Sequence, residues 1–246
     1  MNKKQNKKQK DNSQYVPQRD KISSAMDIRE LNWSLKQKEF ISQALDKDTK
    51  IMFVQGSAGT SKTLLSVYCS LKLLGEKRVS DIIYVRSAVE SSDSHIGFLP
   101  GDANEKLYFY NLPFYDKLEE LLAKGDIDRL EKDGRISMYP VNFARGMSWN
   151  AKVIIFDEAQ NSSTKEIITL ITRLGKFSKC FVLADPDQTD LPLNRAGGFS
   201  KLASAFSDEE SVRQGIRKFE FGDEDIQRSE LVKYIVKTIK IKGVTL

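Results

Sequence analysis

Residues 51–74 read IMFVQGSAGTSKTLLSVYCSLKLL. The first five end in Gln55 after four apolar residues, an unalternated run of the kind shown by a parallel strand buried on both faces. A turn of glycine and other small residues follows, and the amphipathic stretch over 62–74 reads as a helix. Strand, glycine-rich turn and helix in that order form the context that a phosphate-binding loop requires. In such a loop, backbone N–H groups and the positive end of the helix dipole hold phosphate oxygens, a lysine reaches the β and γ phosphates, and the next hydroxyl ligates magnesium. The cradle then falls to Gly56, Ser57, Ala58, Gly59, Thr60 and Ser61, the cation to Lys62 and the metal-side hydroxyl to Thr63. The usual pattern, G-x-x-x-x-G-K-[ST], carries glycine where this chain has Ser61. The serine keeps its backbone N–H and adds a Cβ where the loop normally has none.

Outward from this stretch, short apolar runs alternate with helical ones. IIYVR (82–86), RISMY (135–139), VIIFD (153–157), CFVLA (180–184) and IRKFEF (216–221) read as further strands. Over 164–174, Ser163 and Glu166 form a capping box, Ile167, Ile168, Leu170, Ile171 and Leu174 make one apolar face, and Gly175 stands as the stop. Such alternation predicts one parallel-sheet α/β domain joined by right-handed crossovers. Residues 87–104 lack periodicity, as long functional loops do.

The chain has 246 residues, enough to bury a large core without disulfides or a structural metal. Cys69 and Cys180 belong to no C-x-x-C and no His/Cys cluster, which excludes a zinc site and marks both as small buried hydrophobes in a reducing compartment. No apolar leader and no 18-residue apolar run occurs, so a cytoplasmic protein is expected. Residues 1–21 hold seven cations against two acids, leaving 32 charges of each sign in the remainder. A disordered basic tail over 1–21 is therefore expected ahead of a neutral globular domain over 22–246. The tail is either a solubilising segment or an electrostatic arm for phosphate backbones.

A second part of a phosphate chemistry is VIIFDEAQN (153–161), where a buried strand ends at Asp157. Ligands bind at such carboxyl ends in open α/β sheets. Asp157 is placed to hold magnesium, directly or through water, and Glu158 to take a proton from an attacking water. A third strand end, CFVLADPDQTDLP (180–192), offers Asp185 and Gln188, a glutamine able to sense the γ-phosphate or orient the water.

With GSAGTSKT (56–63), YVRSAVE (84–90), IGFLPGD (96–102), DEAQN (157–161) followed by ITRLG (171–175), ADPDQTDLP (184–192) and DIQRSELVKYIV (225–236), the chain resembles the PhoH family of P-loop ATPases. The core of that family is similar to the first RecA-like domain of superfamily 1 helicases. The resemblance runs from about Leu35 to Lys240, and small single-domain members are frequent in bacteriophages. It implies a RecA-like P-loop NTPase fold, ATP binding and hydrolysis with Mg2+, ring-shaped homo-oligomers such as a hexamer, and a link to RNA metabolism. By the helicase comparison Gln37 resembles the glutamine that reads the adenine edge; the other reading is an exposed polar residue on an amphipathic helix. The resemblance also places Arg228 near the nucleotide, as a finger reaching a neighbour's ATP, against a solvated arginine paired with Glu224 or Asp225. Three departures stand out: Ser61, Ala184 where a glycine precedes the sensor aspartate, and Met147 where a second basic residue is common.

Two functions compete. One is an ATPase coupled to binding or remodelling RNA or single-stranded DNA; the other is a regulatory or assembly ATPase that touches no nucleic acid, which the neutral core favours. A small-acceptor kinase would want an arginine-rich lid that the motifs do not supply. Phe143, Arg145 and Trp149 interleave aromatic and basic groups, suited either to stacking unpaired bases or to anchoring their loop in the core. His95, without ligand partners nearby in sequence, reads as a surface loop residue.

Overall fold

The computed structural model describes residues 26–87, 103–191 and 197–227, with 230–232, 234, 235 and 238 beyond them; side chains at 103–110, 142 and 143 are not described. The basic tail, His95 and the IGFLPGD motif, Arg228 and the Phe143 side chain lie outside the described residues.

Six strands form one sheet: β1 (Ile51–Gln55), β2 (Asp81–Arg86), β3 (Ile136–Pro140), β4 (Lys152–Asp157), β5 (Lys179–Ala184) and β6 (Ile216–Glu220), in the order β3-β2-β4-β5-β1-β6. Every pairing is parallel. Between them run α1 (Leu35–Leu45), α2 (Lys62–Gly75), α3 (Ala103–Leu121), α4 (Lys124–Lys132), α5 (Thr164–Ile171), α6 (Gly198–Ala205) and α7 (Glu209–Gln214).

The apolar runs lack alternation because both faces of the sheet are covered. Met52 and Val54 of β1 pack with Phe40, Leu65, Phe114 and Phe181 on one side, while Phe53 between them packs with Ile167, Phe199 and Phe156 on the other. Cys69 and Cys180 are free, buried and on opposite sides of the sheet, and burial pushes both thiols well above their ordinary range. Among the described residues no helix is long and apolar enough to cross a membrane.

Three sequence expectations are corrected. The capping box of α5 is present, with Ser163 accepting the Glu166 N–H, but the helix ends at Ile171 rather than continuing to Leu174. Leu174 instead makes a bridge to Trp149, and Ile168 stands 42% exposed. Gly175 is not a helix stop: its backbone runs so close that an added Cβ would lie 2.2 Å from Asn150 Oδ1 and 2.8 Å from Trp149 O. Finally, the spacing of Leu231, Val232, Ile235, Val236 and Ile239 predicts a buried stripe on a C-terminal helix; Val236 and Ile239 lie outside the described residues, and Leu231, Val232 and Ile235 are exposed, Leu231 by 67%. Amphipathic periodicity records that a face suits apolar cover; it does not say that the same domain supplies it. Trp149 is buried and anchors its loop, while Arg145 is exposed.

Candidate active site

The loop after β1 is shaped by close approach and by left-handed backbone. A Cβ on Gly56 would lie 2.8 Å from the Phe221 Cβ, so only glycine lets the turn pass β6. Gly59 has φ +87°, and Ser61, the N-cap of α2, has φ +65° and ψ +20°. The Ser61 departure therefore falls on a left-handed position, where glycine is the unstrained choice. The Thr60 hydroxyl donates to Ser57 O at 2.8 Å. A strap after β6 closes the loop from behind. Ser57 Oγ donates to Asp223 Oδ1 at 2.9 Å, and the Gln227 N–H donates to Gly59 O at 2.8 Å. Lys62 Nζ lies back against the loop, donating to the carbonyls of Gly56 and Ser57. Burial pulls its ammonium below the ordinary lysine range, against the attraction of Asp185, Asp157 and Glu158.

The acid pair stands opposite. Thr63 Oγ1 donates to Asp157 Oδ2 at 3.0 Å, and the buried Tyr84 hydroxyl donates to the same oxygen at 2.9 Å. Burial and the Asp157 charge hold Tyr84 protonated, so it serves as a fixed donor. Oδ1 of Asp157 accepts the Glu158 N–H at 3.0 Å. Glu158 has φ +55°, a strained conformation for a residue with a Cβ and one that collects at functional sites. Its carboxylate accepts from Gln160 Nε2 at 2.6 Å and lies 3.9 Å from the Arg86 guanidinium. Burial, then the Asp157 charge, raises the Glu158 pKa above the usual carboxylate value.

The end of β5 completes the site. Asp185 Oδ2 accepts the Ala58 N–H of the loop at 2.8 Å, and burial raises its pKa against the pull of Lys62. Gln160 ties the two strand ends together: its Nε2 holds Glu158 while its Oε1 accepts the Asp185 N–H at 3.0 Å. The Gln188 N–H donates to Asp185 O at 3.0 Å, which sets the turn that carries this glutamine.

One cleft of about 520 Å³ is lined by Trp33, Gln37, the loop residues 58, 59 and 61–63, Asp157, Glu158, Asp185 and Gln188. The structure thus gathers Gln37, Ala58, Gly59, Ser61, Lys62, Thr63, Asp157, Glu158 and Gln188 around one space. Gly56, Ser57 and Thr60 shape the loop from beneath it. Gln37 is buried rather than exposed, and its Oε1 accepts the Ser34 N–H in the capping box of α1. Sequence reading missed Tyr84, Gln160 and Asp223. A tyrosine inside an otherwise apolar strand was the one available signal, since a buried hydroxyl needs a partner.

The donor set fits a phosphate chain and a hard cation. A glycine-rich loop at a helix N-terminus, with the half-buried Lys62 ammonium against its carbonyls, suits phosphate oxygens. The Thr63 hydroxyl and the Asp157 carboxylate together supply the one or two oxygen ligands that magnesium takes from protein.

A parallel sheet with such a loop and acid pair at the carboxyl ends of its strands has the architecture of a nucleotide-binding α/β domain. Within that class, the chain belongs to the PhoH-like family: the family described as PhoH-like protein matches residues 31–240. It is similar to the PhoH-like protein of Bacillus subtilis (strain 168), 35% identical over 204 residues that cover 83% of this chain and 62% of that protein. It is similar to the PhoH-like protein of Mycobacterium tuberculosis (strain ATCC 25618 / H37Rv), 35% identical over 203 residues, 82% of this chain and 56% of that one. Protein PhoH of Escherichia coli (strain K12) is 34% identical over 184 residues, 74% of this chain and 51% of that protein. The chain spans between half and two thirds of the length of these curated relatives.

Proposed function

We propose that this protein is a magnesium-dependent ATPase whose turnover is coupled to binding or remodelling RNA or single-stranded DNA. The PhoH-like family is in general one of ATP-binding proteins, and the observation that carries hydrolysis is the division of labour in the acid pair. Asp157 is committed to Thr63 and Tyr84, while Glu158 is held by Gln160 and Arg86 on the cleft wall. In this reading the loop N–H groups and Lys62 hold the triphosphate, and Trp33 and Gln37 border the base. Thr63 and Asp157 would hold magnesium, which when bound neutralises charge on the phosphate oxygens. Glu158, made more basic by burial and by Asp157, takes the proton of a water whose oxygen bonds to the γ-phosphorus as the bridging P–O bond breaks. Gln160 orients Glu158, and Gln188 borders the same space. The protein works as a ring-shaped homo-oligomer in which Arg228 reaches a neighbour's ATP, and the two buried free cysteines suit the reducing cytoplasm. The neutral globular part favours the second reading, a regulatory or assembly ATPase without nucleic acid.

The test compares ATP affinity and turnover in Lys62→Ala and Glu158→Gln, with and without RNA or single-stranded DNA. Lys62→Ala is expected to lose binding, and Glu158→Gln to keep ATP while losing ~10² to 10⁴ in rate. Because the base must be ionised, the parent's rate should fall on the acid side, with its midpoint shifted upward from that of an ordinary glutamate by the burial of Glu158 and the Asp157 charge. Near-normal hydrolysis by Glu158→Gln removes it from the base role, and turnover indifferent to both nucleic acids favours the second reading.

A further inference from the structure

A second concavity of about 1180 Å³ opens at the other end of the sheet, where β1, β2 and β5 begin. Five cations line it, Lys47, Lys50, Arg78, Lys176 and Lys179, and no acid does. In a globular part with equal numbers of both charges, such segregation builds a local positive field. The nearby acids are Asp46 and Asp48, in the turn before β1, and Glu76, which pairs with Arg78 at 3.4 Å. Arg78 also donates to Leu45 O, and the buried Lys179 ammonium donates to the carbonyls of Ala44 and Asp46. Lys47, Lys50 and Lys176 are exposed and have no ion-pair partner among the described residues.

Between the cations the walls are apolar: Leu73, Val79, Leu174 and the Phe177 ring, 44% exposed on a turn residue with φ +60°. Thr49, 1% exposed, lines the same groove, and its hydroxyl has no hydrogen-bond partner among the described residues. Buried hydroxyls are almost always satisfied, so this one marks a place built for a further polar atom. None of these groups belongs to the ATP cleft, which lies at the opposite, carboxyl ends of the strands.

We infer that this basal groove binds single-stranded nucleic acid, with phosphates on the lysines and Arg78 and an unpaired base against Phe177. Phosphates and exposed base faces alternate along one single strand, which matches cations set beside apolar walls. A duplex hides its base faces and would meet only the cations. The inference rests on the nucleic-acid half of the proposed function and gives it a location.

The test measures fluorescence anisotropy of short labelled oligouridine, oligothymidine and a duplex with the full-length protein across a salt series. The triple variant Lys47→Gln/Lys50→Gln/Lys176→Gln should bind single strands at least about tenfold more weakly, with a log–log salt slope shallower by ~2, at ~0.7 per lost contact. Phe177→Ser should weaken binding by about tenfold while leaving the salt slope unchanged. Removing three exposed cations elsewhere, in Lys38→Gln/Lys165→Gln/Lys201→Gln, should leave affinity nearly intact. Equal losses in both triple variants, duplex bound as tightly as single strands, or polyglutamate competing as well as oligonucleotide would each overturn the groove. Single-strand binding untouched by the groove variants overturns the location alone and leaves the nucleic-acid reading standing. No binding by the parent protein at low salt removes both, while the ATPase measurements stay independent of that outcome.

Discussion

Ser61 sits at φ +65° directly before the lysine of the loop, in a backbone region that costs a residue with a Cβ about 1–2 kcal/mol. Ser61→Gly removes that strain but frees the unfolded chain by ~0.4 to 1 kcal/mol, so global stability should rise by ~0 to 1.6 kcal/mol. ATP affinity should be equal to or tighter than the parent's, measured by titration calorimetry. A looser complex would show that the serine hydroxyl itself touches the nucleotide and that the substitution is an adaptation rather than a tolerated strain. The left-handed Glu158 stands in contrast. Its N–H reaches back to Asp157 Oδ1, so the strained backbone is part of how the two acids are set apart.

At the scale of elements, the strands were legible nearly to the residue: IIYVR lies within Asp81–Arg86, and the helix read over 62–74 spans Lys62–Gly75. Apolar runs without alternation and a glycine-rich turn are local signals, and the burial of the sheet on both faces makes them sharp. The end of α5 was not legible, because Leu174 keeps helical spacing while the backbone leaves the helix at Thr172 to bridge Trp149. Nor were Tyr84 and Asp223, whose roles depend on partners 73 and 166 residues away. Spacing finds neighbours along a chain; these contacts are created by strand order. The junction of α5 and α6 shows a similar dependence. A Cβ on Gly198 would lie 2.7 Å from Thr164 N and 2.9 Å from Ser162 O. Gly198→Ala should therefore destabilise by ~1 to 3 kcal/mol through overpacking, read as a lower denaturant midpoint at unchanged slope. Because Ser162 follows Gln160 by two residues, turnover should fall as well, more than the lost stability accounts for. A midpoint equal to the parent's would show that α6 can shift without cost.

For the whole molecule, the question is where the cation that completes phosphate chemistry comes from. The N–H of Gln227 is hydrogen-bonded to the loop at Gly59, and Arg228 is the next residue along the chain. If Arg228 serves a neighbour's ATP, mixing inactive Lys62→Ala with inactive Arg228→Ala should restore part of the turnover, since an arginine finger contributes ~10³ or more in rate. Strict monomers at working concentration, or full activity in Arg228→Ala alone, would end that proposal. The strand ladder has its own consequence at this scale. Val182 of β5 is level with Phe53 on one side and Phe156 on the other. Asp157 is therefore level with Val54, two residues below Gly56, a step of ~6 to 7 Å at 3.3 Å per residue. The depth of the reaction chamber is thus encoded by alignment inside the apolar interior rather than by the loops at its mouth. Sliding β4 by one position would lower or raise the carboxylate by about 3.3 Å and turn it to the opposite face. Inactivity in a folded variant can then originate far from any catalytic side chain, in an insertion or deletion that leaves hydrophobicity and volume intact but displaces the ladder by a single rung.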